Sequence, residues 1–418
     1  RGKERQDHSL RMTMSQKKLS VADQIYSADS SLDLGNRTLK RDEVGMLAQF
    51  VANSRTLKVL SLYNVKVNAE DAVFLAKALE FNETLTSLSF EHNPIGEVGT
   101  AALAETIKFN TTIEFFSLAN TVLNPKGCAL LADALVMNHT LTTLNLESNR
   151  CGPEGARYLA EALRMNSALR HLSLDLNEVG DVGAAALADA LAGTRAGGGL
   201  EVLTLTHNGL TGVGAAALGD ALAGNTSLRK LTLARQELAV QVLRGEEQGV
   251  VAGLQTIDFS RQPLSHYLDY PVIARLVARN SWVARLRLCQ AGLCGLNPDG
   301  RGRRGLEGSE GLAWALRAGP QRLTVLDIGH SFVDDASAEV LALGLRENRT
   351  LTLLSLRGNG LGPQGVLSLA LSMPPSLMDL DLADNPWVGS APPSGKAMTL
   401  LVRTGSLKRL DVSRCGLG

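Results

Sequence analysis

Apolar residues return along this chain at a spacing too long for a single helix or strand. The segments LTSLSFEHNPI from Leu85, LTTLNLESNRC from Leu141, LRHLSLDLNEV from Leu169, LEVLTLTHNGL from Leu200 and LTLLSLRGNGL from Leu351 follow the pattern L-x-x-L-x-L-x-x-N-x-L or nearly so. Weaker copies begin at Leu57, Ile113, Leu228, Leu254, Val283, Leu323, Leu377 and Leu407, and a degenerate first copy, SLDLGNRTL, begins near Asp29. That makes about fourteen copies. Copies from 29 to 169 lie 28 residues apart; the later steps are 31, 28, 26, 29, 40, 28, 26 and 30.

The second half of each copy repeats as well. Gly99, Gly127, Gly155 and Gly183 recur, as do Leu75, Leu103, Leu131, Leu159 and Leu187. Leu79, Ile107, Leu135, Leu163 and Leu191 follow four residues behind, with Ala78 and Ala160 nearby. An i, i+4 apolar pair marks the buried stripe of an amphipathic helix. The glycine before it permits a tight turn or a close backbone approach. Each copy therefore reads as strand, turn and helix, and stacked copies predict an α/β solenoid with a parallel inner sheet and outer helices. Helices are wider than strand spacings, so the expected stack curves into a horseshoe.

The chain resembles the ribonuclease-inhibitor-like subclass of leucine-rich repeats, as in Nod-like receptors and Ran GTPase-activating proteins. The resemblance runs from about Asp29 to the end. It is specific for fold and weak for function, because this scaffold hosts unrelated partners. It also implies that the asparagines after the strands, Asn93, Asn149, Asn177, Asn208, Asn359 and Asn385, bond turn backbone and form a ladder between copies.

Domain organisation follows from the period. Residues 1–28 form an N-terminal tail, in which LSVADQIYSADS can act as a cap, and residues 29–418 form one repeat domain. Loop excursions are expected at Arg195–Gly199 and Asn297–Glu310, the second being an insertion at about 295–310. That insertion contains Gly300, Gly302 and Gly305 in a G-x-G-x-x-G spacing together with Arg301, Arg303 and Arg304. A dinucleotide fingerprint needs its first glycine directly after the strand and a helix opening on its last. Neither holds here, so the segment reads as a solvated loop or a partner-binding loop whose arginines grip anions. The final segment, LKRLDVSRCGLG, starts a strand with no helix after it. Leu407, Leu410 and Val412 should then lack half their packing, and a longer polypeptide continuing past Gly418, or a partner covering that edge, is expected.

Composition narrows the function classes. Lys plus Arg and Asp plus Glu are 42 each, which removes a global electrostatic argument for nucleic acid or an anionic membrane. No apolar run approaches a membrane span, and the N-terminus is no secretory signal. Five scattered cysteines form no C-x-x-C pair, so a reducing, intracellular and cytoplasmic setting fits best. Histidines 92, 139, 171, 207, 266 and 330 lie in different copies without ligand spacing. No catalytic, metal or cofactor site is assigned.

Triplets of the form Asn-x-Thr/Ser begin at Asn36, Asn82, Asn110, Asn138, Asn225 and Asn348. They read as helix-ending residues suited to the left-handed conformation rather than as glycosylation sites. Side chains alternating with the core leucines should line the concave face. Among them Tyr63, Glu91, Phe115, Glu147, His171 and Asp175 form the candidate partner surface, acidic with two aromatics. Arg285 and Arg287, with Arg301, Arg303 and Arg304, form a secondary basic patch. The leading function is non-catalytic recognition or scaffolding of another protein, with no cofactor, by a chain that can be a subunit of a larger complex. The alternatives are a GTPase-activating regulator and a ligand-sensing repeat domain of an immune receptor. The activator would need an arginine between the strand leucines of an early copy, where Ser61, Ser89 and Ser117 stand; only the late Arg287 has that placement.

Overall fold

The computed structural model describes residues 20–193, 199–244, 255–296, 300–318, 322–390, 393–403 and 405–417. The chain divides into two compact units, the first ending at Asn149 and the second beginning at Arg150. Both are α/β repeats of three-residue strands, nearly all pairing in parallel, with intervening helices.

In the first unit the strands are β1 (Ser31–Asp33), β2 (Val59–Ser61), β3 (Ser87–Ser89), β4 (Phe115–Ser117) and β5 (Thr143–Asn145). Consecutive strands pair in parallel with Leu32, Leu60, Leu88, Phe116 and Leu144 side by side. The helices are α1 (Val21–Ser27), α2 (Arg41–Asn53), α3 (Ala69–Leu79), α4 (Gly96–Phe109) and α5 (Pro125–Met137). Helix α1 opens on a capping box between Ser20 and Asp23 and buries Val21 and Ile25. The stripe read from the sequence faces inward, since Leu75, Leu79, Leu103, Ile107, Leu131 and Leu135 are all buried.

The second unit continues with α6 (Gly152–Met165), β6 (His171–Ser173), α7 (Gly180–Gly193), β7 (Val202–Thr204), α8 (Gly212–Leu222) and β8 (Lys230–Thr232). Here regularity breaks. Strand β9 (Glu237–Ala239) turns back and pairs antiparallel with β8, and a helix of only five residues, α9 (Val240–Arg244), follows. A separate six-stranded parallel sheet then runs through β10 (Thr256–Asp258), β11 (Arg285–Arg287), β12 (Val325–Asp327), β13 (Leu353–Ser355), β14 (Asp379–Asp381) and β15 (Arg409–Asp411). Its helices are α10 (Asp269–Arg279), α11 (Glu307–Ala318), α12 (Asp335–Glu347), α13 (Pro363–Leu371) and α14 (Pro393–Arg403). The period alone predicted breaks only at the two loop excursions; this third break corrects it. Of those excursions, residues 194–198 and 297–299 lie outside the described residues.

Two sets of asparagines hold neighbouring repeats together. Asn149 Oδ1 accepts from the backbone N–H groups of Thr121 and Leu123 at 3.0 and 2.9 Å. Its Nδ2 donates to the carbonyls of Leu118 and Leu146 at 2.8 and 3.0 Å. Asn93 and Asn359 repeat the arrangement, as the ladder expectation required. The second set, after the helices, departs from expectation. Asn110, Asn138 and Asn348 cap their helices with φ of −69°, −84° and −71°, extended rather than left-handed. Asn138 instead donates from Nδ2 to the Ile107 carbonyl of the previous helix at 2.7 Å, and its Oδ1 accepts from the N–H groups of Thr140 and Leu141. The left-handed residues come just after the strands, among them Asn64, His92, Asn120, His207 and His330, with φ between 51° and 57°.

Within the insertion, Leu296 and Gly302 form an antiparallel bridge. Gly302 has φ 136° and sits against the backbone of Gly295, a position where a Cβ would collide. Gly302, and the Gly305 N–H that donates to the Cys294 carbonyl at 3.2 Å, thus tie the loop to its own repeat. At the far end Leu407, Leu410 and Val412 are half-buried, whereas the equivalent Leu351, Leu354 and Leu356 are buried.

Candidate functional site

The strand face of the first unit is built by register. With core leucines aligned, the residues between and after them line up on adjacent strands, and the hydrogen-bond ladder runs on past the strands: Asn64 N–H donates to Glu91, His92 to Ala119 and Asn120 to Glu147. Tyr63, Glu91 and Glu147 therefore occupy equivalent positions, and Phe115 begins β4 on the same face. All four are half-buried. The Tyr63 ring meets the His92 imidazole edge-on with centroids 4.8 Å apart, and His92 Nδ1 lies 2.8 Å from Asn120 Nδ2. Glu91 Oε1 accepts from the Ser117 hydroxyl at 2.7 Å, which closes over that serine and buries it. Neither Glu91 nor Glu147 has an ion-pair partner among the described residues. From the sequence, His92 counted only among the scattered histidines and Asn120 was not singled out. Their signal was the recurring left-handed position five residues past each strand's start.

In the second unit His171 is exposed at the start of β6, and Asp175 Oδ1 accepts from the Thr206 N–H at 2.5 Å. The five arginines of the basic patch have different neighbours. Arg285 and Arg287 are exposed on β11, and Arg287 lies 3.9 Å from Asp258 on β10. Arg304 forms an ion pair with Asp334 at 2.9 Å. Burial opposes ionisation of Asp334, but hydrogen bonds from Ser337 and the Arg304 charge outweigh it and hold the carboxyl below its usual range. Arg301 and Arg303 are exposed in the insertion.

The cysteines offer little nucleophilic chemistry. All five are free thiols, and Cys128, Cys151, Cys294 and Cys415 are buried. Burial, with the nearby Asp327, pushes the Cys289 thiol up to about 11, so it stays protonated near neutrality. Among the described residues no cluster of His, Cys, Asp and Glu could hold a metal ion, and no helix is long and apolar enough to cross a membrane.

A family model described as "Leucine Rich repeat" matches residues 81–104, 138–160, 166–188, 200–219 and 347–370. The chain is a leucine-rich-repeat protein. No curated protein matches it. Solved structures similar to this leucine-rich-repeat chain include leiomodin-1 actin-binding site 2, at 23% identity and TM-score 0.28, covering 41% of this chain and 80% of that one. The tropomodulin C-terminal domain of Caenorhabditis elegans is 16% identical with TM-score 0.29, covering 42% and 87%. The yeast Rad7 and Elc1 complex gives 16% identity and TM-score 0.33, covering 90% and 83%. At these values none of them bears on what this leucine-rich-repeat chain binds.

Proposed function

We propose that the chain is a non-catalytic recognition or scaffold protein that holds another protein against the strand face of its first unit. The observation that carries this is the pair of carboxylates, Glu91 and Glu147, without ion-pair partners among the described residues and set beside the half-covered rings of Tyr63 and Phe115. Aromatic rings are what protein contacts use as anchors, and carboxylates beside them select a partner of opposite charge. The complementary partner presents Lys or Arg together with an apolar side chain. His171 and Asp175 are proposed as contacts of the second unit in their own right. The free thiols suit a reducing compartment, hence a component of an intracellular assembly.

The reading is tested with two variants. Glu91→Lys combined with Glu147→Lys should abolish capture of the native partner, while Glu347→Lys on α12, which is exposed, should leave it intact. Equal capture by both variants would refute the surface. A GTP-hydrolysis assay with small GTPases should show no acceleration by the chain; acceleration lost on Arg287→Ala would replace scaffolding by GTPase activation.

A further inference from the structure

The break after β8 creates a feature that the regular repeats do not have. Here α8 packs directly on α10: Arg275 Nε lies 3.1 Å from Asp220 Oδ2, and Arg279 3.5 Å from Asp220 Oδ1. Gly219 permits this approach, since a Cβ there would stand 3.1 Å from the Val272 Cα. The helices close up, but the loops leading into them do not. They leave a groove of about 670 Å³ whose lining includes His207, Arg235, His266, Tyr267, Leu296 and Arg303. A second groove, of about 910 Å³, shares Leu210, His266, Tyr267 and Arg303 with it and reaches Trp314 on α11.

The chain as a whole is neutral, but the first groove is not. Among the described residues its lining contains two arginines and two histidines and no carboxylate. Elsewhere in the same unit Arg304, Arg357, Arg409 and Arg414 each face an aspartate. Arg235 and Arg303 are exposed and form no ion pair among the described residues, although Arg303 also borders the second groove, whose lining includes Glu307 and Glu310. Burial holds His266 below its usual range; the Glu307 charge pulls the other way and the Arg303 charge adds a smaller push downward. Two unneutralised guanidiniums across one groove recognise carboxylates strongly. The space is that of a multi-residue ligand rather than a single small anion. Tyr267, which is 41% exposed, and Leu296 supply an apolar wall.

We propose that this groove holds an extended acidic peptide segment of a partner protein, its carboxylates on Arg235 and Arg303 and an apolar side chain against Tyr267. The site lies wholly within the second unit and is independent of the strand-face reading. The probe is a short fluorescein-labelled peptide alternating Glu with Leu, titrated by anisotropy into the whole chain at low salt. A counterpart with Gln for Glu, and inorganic phosphate, serve as comparisons. The Glu peptide should bind at least about tenfold tighter than the Gln peptide, and Arg235→Gln with Arg303→Gln should remove that preference. Arg235→Glu with Arg303→Glu should bind a Lys–Leu peptide instead, and Val98→Ala, on the exposed face of α4, should bind the Glu peptide as the unaltered chain does. Should the double variants fail to fold, the single Arg235→Gln and Arg303→Gln changes carry the same readout. Equal binding of Glu and Gln peptides, undiminished binding by a folded double variant, or tighter binding of phosphate than of the peptide would each overturn the proposal.

Discussion

Single asparagines do here what a leucine does in an ordinary core. Asn149→Ala removes the partner of two buried N–H groups and two carbonyls and should cost roughly 2–4 kcal/mol, from about 1 kcal/mol or more for each group left unsatisfied. Leu146 is fully buried, and Leu146→Ala should cost roughly 2–5 kcal/mol. Ser173, half-exposed on β6, loses only a hydroxyl contact with Thr204, so Ser173→Ala should cost under about 0.5 kcal/mol. Denaturant titration of the three variants checks the order; equal losses would reverse the assignment of inside and outside. Asp269 gives a pH signature. Burial raises its carboxyl to about 7 despite a hydrogen bond from the Ser265 N–H. The folded state therefore keeps a proton that the unfolded state releases near pH 4, and stability falls as pH rises from about 4 to 7, by up to about 1.4 kcal/mol per pH unit. Asp269→Asn should flatten that part of the profile, as thermal melts across the range would show; an unchanged slope would exclude Asp269 as its source.

Helix-to-helix spacing decides which glycines matter. A Cβ on Gly344 of α12 would stand 2.7 Å from the Ala313 Cα and 2.9 Å from its carbonyl carbon in α11, backbone that cannot step aside. The overpacking, roughly 1–3 kcal/mol, should outweigh the gain of about 1 kcal/mol in helix propensity, so Gly344→Ala should lower the melting temperature. Gly45 in α2 has nothing within 4 Å of the same point, and Gly45→Ala should raise it. A rise in both would mean that the α11–α12 contact yields. Elements of this kind were legible in the sequence because strand and helix leucines recur with the period; each strand begins two residues after the repeat start read from the pattern. The break at β9 was not legible. RQELAVQVLR keeps apolar residues in a helix-like spacing, and the antiparallel return depends on pairing with β8, which periodicity does not encode. Alternation put Tyr63, Glu91 and Glu147 in register on adjacent repeats, but the Tyr63–His92–Asn120 chain needed the left-handed turn to bring it together.

Repeats stabilise one another through their neighbours, so within each unit a solenoid can vary its exposed strand positions at little cost to the fold. That freedom is why the repeats were readable in the sequence while the partner was not. Whether Tyr63, Glu91, Phe115 and Glu147 are contacts or solvated side chains is decided at the scale of the assembled molecule. The most direct measurement places a photoreactive phenylalanine analogue at Phe115 on β4 or, as a control, at Val98 on α4, which is 64% exposed. After irradiation in the native cell extract, intact mass is read with and without Glu91→Lys and Glu147→Lys. The account predicts one discrete adduct from position 115, absent from position 98 and lost in the charge-reversed variant. An adduct formed equally from both positions, or one indifferent to the charge reversal, would contradict it.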